Sequence, residues 1–345
     1  MPDLSDTDIA DLATSTLGEL GPPRFSQIAQ DLQNYECMGK ILKKDKVQFD
    51  GGKQIERRIM HTTSGAARMV GLHETDNVNI ADTLATLTVP WRHTTTFMAW
   101  ERREILENKG KAKIVSLMES KRADMMISLA DLMEDEFWSK PDDSNDKLEL
   151  FGVPYWIVKN SSTGFNGGDP SGFTSGAGGL DTATYPNWKN YTAQYAAVTK
   201  ADLIKKMRTA YRKIQFKSPV NINDLSLGNG ANYRIYVNES LMADMEDLGE
   251  AQNENLGRDI ASIDGGTITF RKNPIIWVPK LDEDTENPIY MIDWNKFRPF
   301  VLDGDYLRET DPEKAANQHN TWVVYVDLTW NVLCIDRRRQ AVLYL

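Results

Sequence analysis

The stretch that decides the fold is residues 112–138, AKIVSLMESKRADMMISLADLMEDEFW. Its apolar residues recur at the three- and four-residue spacing of a helix, and charged residues occupy the opposite face. The apolar set is Ile114, Leu117, Met118, Met125, Leu129, Leu132, Met133 and Phe137. The spacing predicts one long amphipathic helix from Ala112 to Trp138, and we interpret the methionine-rich stripe as core packing rather than as a cofactor face.

A long, charged β-hairpin pattern precedes this helix and runs from Lys46 to Arg103. Its predicted parts are strands at 46–49, 55–59 and 83–100, an Asp-Gly-Gly turn at 50–52 and a loop tip at 62–82. An isolated two-stranded ribbon is marginal in water, so the hairpin needs a surface to lie against. A neighbouring subunit is one candidate surface.

The remaining chain alternates loops, two helices and several strands. The segment 140–190 is rich in Pro, Gly, Ser, Asp and Asn, and its glycines at 164–179 are interpreted as a mobile surface loop. Thr199 is the predicted cap of a helix whose third position is Asp202. The other predicted elements are a helix at 239–248 and strands at 155–158, 233–237, 267–271, 275–279, 289–292, 321–335 and 341–345.

Composition excludes several classes of protein. The 345 residues are 41% hydrophobic and 26% charged, which is typical of a globular protein, and the net charge of −10 argues against tight wrapping of nucleic acid. The chain has no apolar run of membrane-spanning length and an acidic start, so we expect it to be made in the cytoplasm without a targeting signal. Cys37 and Cys334 are predicted to be buried or free thiols.

No catalytic or metal-binding motif stands out. The glycines do not form a phosphate loop, the four histidines have no ligand spacing, and Ser171 and Ser175 are not in a nucleophile elbow. The acids at 282–286 are interpreted as a solvated loop rather than a calcium site. The run 337–339, three arginines, leaves open phosphate binding and ordinary ion pairs. Nine tryptophans beside many acids leave a carbohydrate-active enzyme as a remote alternative.

The order of these elements resembles the major capsid protein of tailed bacteriophages, with the Hong Kong ninety-seven fold that encapsulins share. The segments that carry the resemblance are an N-terminal arm (1–41), the hairpin and the long helix, followed by 199–207, 233–241, 273–279, 289–304 and 327–343. The stretch Asn238-Glu239-Ser240 lacks the proline of the family pattern. The resemblance spans nearly the whole chain and implies an α+β fold with peripheral and axial domains.

The resemblance also implies a division of the chain. The expected parts are an N-terminal arm (1–41), an extended loop (42–103), a peripheral domain (104–190) that contains the spine helix, an axial domain (191–300) and a return to the peripheral strands (301–345). The extended loop would contact neighbouring subunits, with its charges setting register and discouraging wrong pairings. The candidate contact residues are Lys46, Lys53, Arg57, Arg58, Arg68, Glu74 and Arg92.

The function implied is that of a non-enzymatic coat protein without a cofactor or metal. It would self-assemble through pentamers and hexamers into an icosahedral virion capsid, in the host cytoplasm, around double-stranded DNA that it does not read by sequence. Scaffolding, portal and decoration proteins are the other expected partners, and no membrane is involved. An encapsulin-like nanocompartment shell, which differs in cargo rather than in fold, is the alternative.

Overall fold

The computed structural model describes residues 35–42, 47–49, 51–71, 82–107, 111–215, 232–252 and 268–345. The predicted arm therefore lies outside the described residues up to residue 34. The helices are α1 (Glu36–Leu42), α2 (Arg102–Glu107), α3 (Lys111–Phe137), α4 (Val153–Trp156), α5 (Lys205–Ile214) and α6 (Glu239–Gln252). None of these described helices has the length and apolarity that a bilayer span requires.

Helix α3 confirms the helix predicted from the apolar spacing. The side chains of Met118, Met125, Leu129, Met133 and Phe137 are buried in the main hydrophobic core, as the core interpretation of the stripe requires. Leu132 is 46% exposed, so its assignment to the core stripe was wrong. At 100° of rotation per residue, the Leu132 side chain points to the edge of the buried face of α3 and not to its centre.

Six strands form the first sheet, and its longest strand carries the others. They are β1 (Val47–Phe49), β4 (Arg92–Glu101), β11 (Phe297–Leu302), β12 (Arg308–Glu309), β13 (Glu313–Lys314) and β14 (Thr321–Cys334). Strand β14 pairs antiparallel with β4 along one edge, and with β13, β12 and β11 in turn along the other. Helix α3 packs against this sheet through the main core.

The hairpin is shorter than predicted. Its strands are β2 (Gln54–Met60) and β3 (Leu84–Pro90), paired antiparallel over seven residues. The second predicted strand breaks at Pro90 and Trp91, and its continuation β4 belongs to the first sheet, where Met98 and Trp100 are buried. The prediction that 83–100 is one continuous strand of the hairpin was therefore wrong.

Strand β1 is not part of the hairpin either. It pairs in parallel with β11, with Val47 opposite Phe300 and Phe49 opposite Leu302. The glycines at 51 and 52 have φ values of +151° and +128°, a backbone region that favours glycine, and they carry the chain away from the sheet. The chain thus changes direction after β1, as the turn signal at 50–52 predicts. The prediction that this turn joins β1 and β2 as paired strands was wrong.

The second sheet has seven strands in the order β5-β6-β15-β10-β7-β9-β8. Their bounds are β5 (Gly164–Gly167), β6 (Asn190–Gln194), β7 (Tyr233–Val237), β8 (Thr269–Phe270), β9 (Asn273–Trp277), β10 (Ile289–Asp293) and β15 (Ala341–Tyr344). Helices α5 and α6 pack on this sheet around a second hydrophobic core. The strands predicted from 233 onward are confirmed, with a two-residue break between β8 and β9.

The predicted cap before α5 is confirmed, whereas one predicted strand is wrong. Thr199 Oγ1 accepts a hydrogen bond from the Asp202 amide (3.3 Å), and a π-helical turn, Lys200–Ile204, leads into α5. The predicted strand at 155–158 is the helical turn α4 instead. Tyr155, Trp156 and Ile157 are all buried, and three consecutive buried side chains do not fit the alternation of a half-buried strand.

The two sheets are joined by one continuous ribbon. Strand β10 continues through residues 294–296 into β11, while β14 continues through 335–340 into β15. The two chain segments stay paired on both sides of the crossing, as β10 with β15 and β11 with β14. At the crossing the Asp293 amide donates to Gln340 Oε1 (2.8 Å), and the Ile335 amide donates to the Lys296 carbonyl (2.8 Å).

The crossing encloses charged groups. Asp293 is fully buried, and its Oδ1 accepts from the amides of Asn232 and Asn295, both at 3.1 Å. Its Oδ2 is buried without a hydrogen-bond donor. Lys296 and Arg339 are the nearby cations, yet burial outweighs them and raises the pKa of Asp293. Burial also raises the pKa of Asp336, which pairs with Arg339 at 3.4 Å.

We expect Asp293→Asn to remove part of the pH dependence of folding. Because the native pKa of Asp293 lies above its unfolded value, the folded chain holds a proton that the unfolded chain releases in the window between them. The free energy of unfolding of the wild type therefore rises relative to that of the variant as pH falls from neutral through the raised pKa toward the ordinary carboxyl pKa. Denaturant unfolding across this range measures the difference, with exposed Asp303→Asn as the control. Parallel curves for wild type and Asp293→Asn would contradict the assignment.

Candidate assembly surface: the hairpin and its seat

The hairpin has one face turned to its own subunit and one turned to solvent. On the inner face Ile55, Leu87 and Val89 are fully buried. On the outer face the directly opposed pair Met60 and Leu84 is 63% and 53% exposed. This division follows from the period of two in a strand, because neighbouring residues point to opposite faces.

The inner face rests on the glycine-rich segment 168–188, which we call the seat. The Thr88 amide donates to the Gly178 carbonyl at 2.9 Å, and the Gly178 amide donates to the Tyr155 hydroxyl at 2.9 Å. Gly178 has a φ of +66°, and a Cβ atom added there would lie 2.1 Å from Leu87 Cδ1. Only glycine therefore lets strand β3 approach the seat this closely.

A second contact holds the hairpin near the end of β2. The His61 ring packs edge-on against the Tyr185 ring, with centroids 4.8 Å apart. Asn187 Nδ2 donates to the His61 carbonyl at 3.1 Å. The seat thus meets the ribbon at two separate places.

The prediction that the glycines at 164–179 form a mobile surface loop was wrong. Phe173, Ala177 and Leu180 are buried, and Trp188 Nε1 donates to the Ala177 carbonyl at 3.0 Å. Thr182 and Asp169 are also joined, by the Thr182 Oγ1 bond to Asp169 Oδ2 at 2.9 Å. The segment is packed because its glycines allow other chain segments to approach closely. A glycine-rich composition is equally compatible with a mobile loop, so composition alone cannot distinguish the two.

Arg337 secures both ends of the seat from within the core. Its guanidinium is fully buried and donates to four oxygens: Trp156 O (2.7 Å), Trp188 O (3.0 Å), Gly168 O (2.7 Å) and Asn190 Oδ1 (3.3 Å). Burial lowers the pKa of Arg337 to about 10, which leaves the group protonated at neutral pH. A buried arginine whose donors bind carbonyls of its own chain has none to offer a phosphate.

The neighbouring arginines are also used within the subunit. Residues 337–339 form a 3₁₀ turn rather than a strand. Arg338 lies over the Phe165 ring at 5.0 Å from the centroid, and Arg339 pairs with Asp336. Of the two readings left open for this run, the structure supports intramolecular pairing.

The predicted contact residues divide into three groups. Lys53, Arg58 and Arg68 are exposed on the hairpin, and Arg57 is half-buried on its inner face. Lys46 and Glu74 lie outside the described residues. That these residues contact neighbouring subunits stays a prediction.

Arg92 lies away from the hairpin. It is 7% exposed at the start of β4, and it donates to the carbonyls of Asp146 (2.8 Å) and Glu149 (2.7 Å). Its guanidinium lies 5.3 Å from the Phe151 ring centroid. Burial lowers the pKa of Arg92, and its guanidinium binds a loop of its own chain; contact with a neighbouring subunit stays a prediction for this residue too.

The acids at 282–286 are neutralised by lysines and amides of the same chain. Lys159 Nζ contacts Asp284 Oδ2 (2.6 Å) and Glu286 Oε2 (2.7 Å). Asp282 accepts from the Glu239 amide at the start of α6 (2.8 Å). Across the residues that the structure describes, no group of three or more His, Cys, Asp or Glu side chains is arranged to hold a metal ion.

The remaining sequence candidates also have structural roles. Cys37 and Cys334 are buried and form no disulfide, as predicted. His93 Nδ1 lies 2.7 Å from Thr329 Oγ1, which in turn donates to Asp305 Oδ2. Ser171 Oγ accepts from Lys140 Nζ at 2.9 Å on the surface. These contacts join loops to strands.

Comparison with known proteins gives a match to solved structures alone. No family model and no curated protein sequence matches the chain. The capsid asymmetric unit of cyanophage A-1(L) matches with a TM-score of 0.57 at 14% identity, covering 89% of this chain and 91% of that chain. The capsid of Myoviridae phage XM1 matches with a TM-score of 0.53 at 10% identity, covering 88% and 91%.

The capsid of the native GTA particle matches with a TM-score of 0.52 at 11% identity, covering 88% of this chain and 89% of that one. This chain has the fold of phage capsid proteins. The resemblance read from the order of elements is confirmed at the level of the fold, and so is the α+β class. Since nearly the whole chain is matched, the capsid fold includes both sheets, while the predicted domain boundaries stay a prediction.

Arg337→Lys is expected to lower the free energy of unfolding by about 3 kcal/mol or more, because lysine cannot reach the separated carbonyls and its charge stays buried. The midpoint of urea unfolding measures the change. The matched control is Arg338→Lys on the same turn, which loses a ring contact worth about 1 kcal/mol or less. Equal losses in the two variants would show that the Arg337 bonds do not secure the seat.

Proposed function

We propose that this chain is the major coat protein of a tailed-phage capsid, a structural protein without a catalytic role. Copies associate through pentamers and hexamers into an icosahedral shell that encloses double-stranded DNA. The observation that carries the proposal is the match of 89% of this chain to 91% of a capsid chain, since the likeness extends over nearly the whole of both chains. The proposed location is the virion, after assembly in the host cytoplasm.

The hairpin supports the assembly role through its charge. Residues 51–71 and 82–90 contain four basic side chains, Lys53, Arg57, Arg58 and Arg68, against Glu56 and Asp82. Glu74 and Asp76 in the intervening sequence bring residues 51–90 to four bases and four acids, whereas the chain as a whole has a net charge of −10, so the hairpin is less acidic than the rest of the chain. Its basic side chains can pair with acids of another copy, which favours association in one orientation.

The hairpin is also apolar where it meets solvent. Met60 and Leu84 face outward, and beyond them Val70 is 60% and Met69 is 99% exposed. Exposed apolar side chains that are grouped in this way mark interaction sites. Methionine in particular adapts its shape to the surface that it meets.

The proposed acceptor on a second copy is the outer face of the six-stranded sheet. Phe97 on β4 and Tyr325 on β14 lie directly opposite each other, with ring centroids 6.2 Å apart, and are 62% and 39% exposed. The adjoining segment 303–314 carries five acids against Arg308 and Lys314. Basic and methionine-bearing residues on one copy thus match acidic and aromatic residues on the other.

The proposed shell encloses DNA without binding it tightly. A shell of acidic subunits keeps packaged DNA from adhering to its wall, because phosphate binding needs a local excess of lysine and arginine. We propose no sequence-specific contact with DNA. Scaffolding, portal and decoration proteins are the further partners that such a shell uses.

Electron microscopy and light scattering of the purified chain, alone and with its scaffold, test the proposal. Closed shells or rings of five and six subunits would support it, and a monomer or dimer under all conditions would refute it. The content of shells purified from cells then separates two kinds of container. Double-stranded DNA inside the shells would support the capsid function. A single protein cargo without DNA would refute it in favour of an encapsulin-like compartment.

Phe97→Ser should weaken assembly without unfolding the subunit. The aromatic ring is mostly exposed in the isolated chain, so we expect the thermal midpoint to change by a few degrees at most. A lost contact of about 1.4 kcal/mol would raise the protein concentration needed for assembly about tenfold. Sedimentation of particles against concentration measures it.

The control is Leu148→Ser, which removes a side chain that is 88% exposed in the loop 141–149, away from the sheet face. Its assembly concentration should equal that of wild type. An unchanged value for Phe97→Ser, or equal shifts in the two variants, would show that the sheet face is not the acceptor.

A further inference from the structure

We infer that the seat sets the direction in which the hairpin leaves its own subunit, and that Gly178 is the positioning residue for shell assembly. The inference rests on the proposed assembly role of the hairpin. It concerns a contact within one subunit, between β3 and the glycine-rich segment, that decides how the subunit presents its hairpin to others.

Two separated contacts are needed to fix a direction, and the seat provides two. The first is at Thr88, which lies opposite Glu56 in the ribbon. The second is at His61, five residues further along from Glu56. At about 3.3 Å per residue the two contacts lie about 16 Å apart along the ribbon. One contact would act as a pivot, whereas two at this separation hold the ribbon at one angle.

The first contact, between Thr88 and Gly178, is closely packed. The carbonyl of Gly178 accepts from Thr88 and its amide donates to Tyr155, so both backbone groups are bound. Its missing Cβ is the space that Leu87 Cδ1 occupies. Below it, Tyr155 is buried among Phe151 and Phe173 in the rigid core of the subunit. A Cβ atom at 178 meets the end of the Leu87 side chain, and because Leu87 is itself fully buried, the clash is relieved by repacking of Leu87 together with a shift of β3.

A small displacement at this point is amplified along the hairpin. A shift of about 1.5 Å, one carbon–carbon bond length, over a separation of about 16 Å tilts the ribbon by about 5°. Every subunit of a shell would carry the same tilt, so its effect is repeated at each contact between copies. The expected result is a shell of different curvature rather than an unfolded subunit.

The experiment compares three variants of the full chain. Gly178→Ala adds the Cβ at the seat. Gly304→Ala adds one at a position with a φ of +83° and no atom within 4 Å, so it measures the cost of the backbone conformation alone. Gly178→Ala combined with Leu87→Ala restores the space. Hydrogen exchange of peptides covering 84–90 in the unassembled subunit reports on the docking of β3, and electron microscopy reports on particle diameter.

We expect Gly178→Ala to increase amide exchange in 84–90 at least about tenfold, the factor for a loss of 1.4 kcal/mol in local stability, and to change particle diameter or leave open sheets. Gly304→Ala should do neither, and the double variant should recover wild-type particles. If Gly178→Ala does not fold, Asn187→Ala serves instead, since it removes the hydrogen bond of the second contact at an exposed residue and leaves the His61–Tyr185 ring contact in place.

Wild-type particles from Gly178→Ala, or the same change from Gly304→Ala, would overturn the inference while leaving the proposed function intact. Faster exchange in 84–90 with normal particles would also overturn it, because the hairpin would then be loosened without consequence for assembly. A wild-type chain that forms no particles would instead refute the proposed function, and with it the assembly part of the inference.

Discussion

The buried guanidinium of Arg337 is the interaction on which the rest of the structure depends. It lies in the turn between β14 and β15, where the chain passes from one sheet to the other, and it binds carbonyls at both ends of the seat. A buried charge is costly unless all its donors are occupied, so the surrounding chain has little freedom to move away from it. The same residue thus ties the sheet crossing, the helical turn α4 and the seat together.

The crossing gives the subunit its rigidity. Two paired segments pass together from the six-stranded to the seven-stranded sheet, and they keep their pairing on both sides. A pair of strands resists bending better than a single connecting strand because its backbone hydrogen bonds must deform together. In the proposed coat role, a rigid body would let each subunit transmit the position of its hairpin to its neighbours.

Helix α3 was predictable because a run of 27 residues carries its own periodic signal, and the cap at Thr199 was predictable because capping is a local contact. The extent of the hairpin was not. Strands β3 and β4 have similar composition and are separated by a single residue, Trp91. Their partners, β2 and β14, are more than two hundred residues apart in sequence. Strand pairing is a long-range choice that local composition does not record.

The candidate site also has features that the sequence predicts and features that only the tertiary structure shows. The charged and apolar side chains that the proposed contact between copies would use, such as Lys53, Arg58 and Met69, can be read from the sequence. The importance of Gly178 cannot, because one glycine among seven in the segment 164–179 looks like the others. Its role follows from a positive φ and from Leu87, ninety-one residues earlier in the chain.

By itself the sequence determined most of the elements and their order, since periodicity, capping and turn residues act over a few neighbours, and that order was sufficient to indicate the capsid fold. Only the tertiary structure decided which strands pair, which charges are buried and where the hairpin is held. Those outcomes depend on contacts between distant residues, such as Arg337 with Gly168 and Thr88 with Gly178. The physical reason is that burial and close packing are properties of the folded assembly of elements and not of any one of them.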